Sequence, residues 1–153
     1  MGDKVWSEKD LRRMMAKDFG DQIFWVEHAR GGTPGFPDCV ILDGGRSVFS
    51  ELKAGDVRLV SNPDSDEVAA FWTPELRPAQ ISVMKRMVAN GVESNVTIID
   101  RKTGRVFIAG SKEILASIWA GRQAAVAEVF GLGDDRGGSK GQESPKTAEK
   151  LSG

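Results

Sequence analysis

This chain of 153 residues predicts an α/β domain whose elements run in the order αβββαββα. Three observations carry that prediction. Apolar residues near the N-terminus recur at helical spacing, two pairs of β-prone runs are joined by glycine-bearing turns, and a proline-opened helical segment separates the two pairs.

Each element has a local cause. Ser7 has the character of a helix N-cap with Asp10 three positions on, and Leu11, Met14, Met15 and Phe19 form the apolar stripe that Gly20 ends. The aromatic, β-branched stretch 22–28 predicts a strand, closed by the glycines and prolines that follow it. "CVIL" and "SVFSEL" flank "DGGR", an Asp-Gly-Gly hairpin signal. Residues 54–73 are polar, with the acidic stretch "NPDSDEV", and predict an exposed loop. Pro74 and Pro78 suit the first turn of a second helix, with Ile81, Met84 and Val88 as its stripe and Gly91 as its end. "NVTIID" and "RVFIAG" around "RKTG" predict a second hairpin. Ser111 then caps a third helix carrying Ile114, Leu115, Ile118 and Trp119.

Composition sets the boundaries. The 40% apolar fraction fits one globular domain with a core, here residues 1–131. From 132 to 153 the chain is Gly, Ser, Lys, Asp and Glu with few apolar residues, and the expectation is a disordered polar tail. A single cysteine, Cys39, excludes an intramolecular disulfide and a thiolate metal cluster, so any metal must be held by oxygen. The expected place for Cys39 is a buried strand. Without a membrane-length apolar run or a secretory leader, the expectation is a cytoplasmic protein with no membrane partner. A net charge of −1 argues against a strongly basic coat that binds nucleic acid through charge alone, and leaves local basic patches as the route to it.

Phosphodiester hydrolysis needs charge neutralisation at the phosphorane, an acidified water and a group to orient it. A hard divalent cation held by two carboxylates meets the first two needs. Asp38 opens the first strand of the Asp-Gly-Gly hairpin and Glu51 closes the second, so the two acids lie together at the end opposite the turn. Lys53 lies two residues beyond Glu51 on the same strand face, where it can hold the water or offset phosphate charge. Two strand ends with solvent-facing charges would give the same string of letters.

Gly35-Phe36-Pro37-Asp38, then twelve residues, then Glu51-Leu52-Lys53, then "LRPAQ" from Leu76 to Gln80 resembles the PD-(D/E)xK nuclease superfamily in its VRR-NUC branch. The resemblance covers roughly residues 7 to 100 and implies a restriction-endonuclease-like core with a mixed sheet flanked by helices. It implies that Asp38 and Glu51 are Mg²⁺ or Mn²⁺ ligands, that the Leu52 carbonyl adds a donor, and that Lys53 is the catalytic lysine. Glu8 matches the family's helix glutamate, with Asp10 and Glu27 as alternatives for that role. Gln80 matches the glutamine beside the site, where an amide can hold a carboxylate or the lysine. The activity implied is a DNA endonuclease of phage or bacterial type, with branched DNA such as a Holliday junction as substrate and a homodimer to cut both strands. The stretch between Lys53 and "LRPAQ" is longer than in compact members, and the third helix lies outside the match.

Other residues carry weaker signals. His28 and Arg30 precede the glycine loop, where each can meet a phosphate, although a histidine ending a strand is more often structural. Arg77, Lys85 and Arg86 are the leading candidates for DNA contact on the second helix, beside basic groups at Arg12, Arg13 and Lys17 and at Arg101, Lys102 and Arg105. Arg12 and Arg13 are expected to balance Asp10 and Asp18 in part. Core packing is the default for Trp6, Trp25, Trp72 and Trp119, and Trp72, in the inserted loop, is the one to test for stacking on an exposed base. The rival to a nuclease is a non-catalytic DNA-binding or host-protein-interaction module on the same fold.

Overall fold

The computed structural model describes residues 3–27 and 32–129. Helix α1, Glu8–Phe19, begins with the capping box that the sequence predicts: Asp10 N–H donates to Ser7 Oγ at 3.3 Å, and Ser7 N–H donates to Asp10 Oδ2 at 2.9 Å. Leu11 and Met15 are its buried residues. A single 3₁₀ turn, Gly20–Gln22, leads to strand β1, Ile23–Trp25. That strand is shorter than the predicted span, although Val26 N–H still donates to the Asp38 carbonyl at 2.9 Å; position 28 lies outside the described residues.

Strands β2, Cys39–Asp43, and β3, Arg46–Gly55, form the predicted hairpin, with Asp43 opposite Arg46. Gly44 and Gly45 have φ of +56° and +89°, the pair of positive values that a two-residue turn of matching twist demands. β3 does not stop at Glu51. It runs on to Gly55 because a second partner, β6, Ser94–Asp100, lies parallel to it from Phe49 to Gly55. Helix α2, Pro78–Ala89, makes the crossover between β3 and β6 that parallel strands need. Its buried residues are Gln80, Val83, Met84 and Met87; Ile81 and Val88 are only half-buried, and Pro74 lies before the helix. β6 turns into β7, Val106–Gly110, as predicted. Asp100 fastens that turn by accepting from Thr103 N–H and Oγ1, and its other oxygen accepts from Val57 N–H at 3.0 Å.

Residues 54–73 are not a loop. They form the end of β3 and a further hairpin, β4 Val57–Ser61 and β5 Val68–Trp72, and a last strand, β8 Ala124–Glu128, follows the third helix. The sheet of eight strands runs β1-β2-β3-β6-β7-β8-β5-β4, so the predicted order lacks three strands. Only Asp56 separates β3 from β4, yet five strand spacings lie between them in the sheet. Flat, those spacings would span about 24 Å, whereas two Cα steps reach less than about 8 Å. The sheet therefore curls until β4 and β5 return to the end of β3. Trp72 marks the closure: it is 1% exposed, and a Cβ on Gly55 would stand 2.4 Å from its Nε1. Its burial meets the core expectation and excludes base stacking.

Helix α3, Ser111–Ala120, has Gly110 rather than Ser111 at its N-cap; the Ser111 hydroxyl pairs with that of Ser94 at 2.6 Å. Ile114 is fully buried, but Trp119 is 92% exposed, against its core expectation. Two apolar clusters cover the two faces of the sheet. Leu11, Met15, Cys39, Ile41, Leu52 and Ile99 pack under α1, and Trp72, Met84, Val96, Ile98, Phe107 and Ile114 pack under α2 and α3. Among the described residues no helix is long and apolar enough to cross a membrane. The predicted tail, 132–153, lies outside the described residues.

Candidate active site

Register puts the two acids together. Cys39 pairs with Ser50, and Asp38 N–H donates to the Ser50 carbonyl at 3.0 Å, so Asp38 stands beside Glu51 where β2 begins. Alternation along β3 sends Leu52 into the cluster under α1 and turns Glu51 and Lys53 to the opposite face. Leu52 N–H donates to Asp38 Oδ2 at 2.8 Å, which fixes that carboxylate at the open edge of β3. The Leu52 carbonyl points to the same edge as its N–H.

The first turn of α2 supplies the third partner. Gln80 is 4% exposed, and its Nε2 donates to Glu51 Oε2 at 2.9 Å. Its Oε1 accepts from Lys53 Nζ at 3.1 Å and from Arg77 N–H at 2.9 Å. One amide thus holds the carboxylate and the ammonium in a single chain of hydrogen bonds. The loop before Asp38 is seated against the same turn: Gly35 has φ +82°, and a Cβ there would lie 2.3 Å from the backbone of Ala79. Only glycine satisfies both demands.

Burial dominates the electrostatics. Glu51 is 7% exposed, and desolvation, aided by the charge of Asp38 and a side-chain hydrogen bond with it, lifts its pKa from 4.5 to about 8. Lys53 opposes the rise, and the charge of Glu8 adds to it. Glu8 in the first turn of α1 thus acts on the same cluster. Asp10, its alternative, is committed to Ser7, Lys4 and Arg13, and the Ser7 N–H lowers its pKa. Glu27, the other alternative, is exposed and lines a cleft of about 600 Å³ with Phe36, Asp38, Glu51, Arg77 and Gln80.

Among the described residues no group of three or more His, Cys, Asp or Glu side chains is arranged to hold a metal ion. Asp38 and Glu51 nonetheless suit one. Two hard oxygen donors stand side by side, one of them buried enough to favour its protonated form, and Mg²⁺ commonly binds through one or two carboxylates and retains waters.

No family model matches this chain, and no curated protein matches it either.

The other candidates separate by position. His28 and Arg30 lie outside the described residues. Arg77 is exposed at the N-cap of α2 and lines the cleft, whereas Lys85 and Arg86 are exposed in its later turns. Arg101 meets Asp56 at 3.6 Å, and Arg105 is bound to Glu128 by two hydrogen bonds of 2.9 and 2.5 Å. Cys39 is fully buried on β2, and burial pushes its thiol up to about 12. Two features escape sequence reasoning. Gly35 belongs to the Gly-Phe-Pro-Asp motif, but its contact with Ala79 has no local signal; Arg12 stacks on Trp25, 4.3 Å from the ring centroid, instead of balancing Asp10.

Proposed function

We propose that this chain belongs to the VRR-NUC branch of the PD-(D/E)xK superfamily and is a Mg²⁺- or Mn²⁺-dependent endodeoxyribonuclease. The observation that carries the reading is the Lys53–Gln80–Glu51 chain of hydrogen bonds beside Asp38, with Asp38, Glu51 and Gln80 lining one cleft. Asp38 and Glu51 would hold the cation, with the Leu52 carbonyl on the same edge and Glu8 nearby. Bound Mg²⁺ or Mn²⁺ supplies charge neutralisation at the phosphate and lowers the pKa of water. Lys53, kept on the Glu51 face by Gln80, offers an N–H to the attacking water or to a phosphorane oxygen, where developing negative charge is stabilised. Branched DNA, including a four-way junction, is the proposed substrate, and paired cutting of its two strands would use a homodimer.

Cleavage of labelled linear, single-stranded, flapped and four-way-junction DNA with Mg²⁺ or Mn²⁺ tests the reading. Metal-dependent cutting by wild type that disappears in Lys53→Ala and Glu51→Ala supports it. The net charge of −1 favours the rival, a non-catalytic DNA-binding or host-protein-interaction module. That rival replaces the nuclease if folded wild type cuts none of the four substrates.

A further inference from the structure

We infer that Arg12 is a phosphate-binding residue of this site, contacting the DNA backbone beside the Asp38–Glu51 pair. The inference rests on the reading that the site takes DNA, and it adds a residue that the family pattern does not supply. Arg12 follows Glu8 by one helical turn, so the two side chains share a face of α1. Its guanidinium lies over the Trp25 ring at 4.3 Å from the centroid, next to the strand that carries Cys39. The charge of Arg12 acts on the Cys39 thiol in the opposite sense to those of Asp38 and Glu51, and Glu8, one turn before it, acts on Glu51.

The partners of its neighbours make Arg12 distinct. Arg13 meets Asp10 at 3.3 Å, and Lys4 meets the same carboxylate at 3.4 Å. Among the described residues Arg12 has no hydrogen bond or ion pair, and its guanidinium rests on the aromatic face alone. Stacking uses the flat face of a guanidinium and leaves its in-plane N–H donors free, the geometry that grips a phosphate with two hydrogen bonds. Trp25 holds the cation in place and lowers the entropy cost of ordering a long side chain.

The test is the salt dependence of binding to a labelled DNA duplex, measured by fluorescence anisotropy without divalent metal on the full chain, with cleavage assayed in parallel. Each phosphate neutralised contributes about 0.9 to the slope of log K against log salt. Arg12→Ala is expected to lower the slope by about that amount, Arg12→Lys to retain it, and Arg13→Ala to change it far less. An unchanged slope in Arg12→Ala, or an equal loss in Arg13→Ala, overturns the inference while metal-dependent cleavage by wild type leaves the nuclease reading standing. If wild type cuts nothing but the slope still depends on Arg12, the catalytic reading falls and the phosphate contact stands. Absence of DNA binding by wild type overturns the inference, and the nuclease reading falls with it if wild type also cuts nothing.

Discussion

Gln80 joins Glu51 from across the α2–β3 boundary: its Nε2 donates to Glu51 Oε2 at 2.9 Å while its Oε1 receives the Lys53 ammonium at 3.1 Å. Because the amide both donates and accepts, no carboxylate or hydrocarbon can replace it at neutral pH. Gln80→Ala should reduce metal affinity or cleavage by about 10–100-fold, the range for residues that orient a ligand. Separate kcat and Mg²⁺-dependence measurements on Gln80→Ala and Gln80→Glu check this; wild-type values in both would remove the amide from the mechanism.

Glu51 makes stability depend on pH in a definite direction. Its pKa rises from 4.5 to about 8 on folding, so between those values the native state binds more protons than the unfolded state. The stability it contributes is fully present below 4.5 and is lost as pH rises through about 8. A pKa difference of one between the folded and unfolded chain corresponds to about 1.4 kcal/mol. In the absence of metal, the stability of Glu51→Gln relative to wild type should therefore climb across that window and level off above it, as read from urea melts at a series of pH values.

Cation binding should release a proton. A cation requires Glu51 ionised, whereas at pH 7 the group sits below its pKa of about 8. Mg²⁺ titrated calorimetrically at pH 7 in buffers of different ionisation enthalpy should show about one proton released per ion, falling toward zero well above the Glu51 pKa. Asp38→Ala should abolish the binding.

Gly35 and Gly44 test contact against conformation. Both have positive φ, +82° and +56°, but only Gly35 is pressed on a neighbour. The left-handed conformation costs other residues about 1–2 kcal/mol. Gly44→Ala should lose about that much, and Gly35→Ala should lose more and weaken the site, since the clash pushes the Asp38 loop from Gln80. Equal melting points for the two variants would contradict this.

The tryptophans divide sharply. Trp72, 1% exposed under the curled end of the sheet, should cost about 3–5 kcal/mol when changed to Ala. Trp119, 92% exposed, should cost less than about 0.5 kcal/mol. Denaturant melts of the two variants decide it.

Local chemistry alone determined much of this protein. The capping box at Ser7 and Asp10, the Gly44-Gly45 turn, the Pro78 helix start and the pairing of Asp38 with Glu51 all arise within a few residues or within one hairpin, where side-chain spacing and glycine conformation decide the outcome. The tertiary structure alone decided the rest. β3 reaches Gly55 because β6 pairs with it in parallel, and the polar stretch before Trp72 becomes β4 and β5 because β8, some fifty residues further along, pairs with β5. Gln80, one turn before Met84 on the inward side of α2, is buried as a polar residue because Glu51 and Lys53 bond its amide. Hydrogen bonds between distant strands and a polar group buried against its partners leave no periodicity in the chain; they exist only once the sheet has closed.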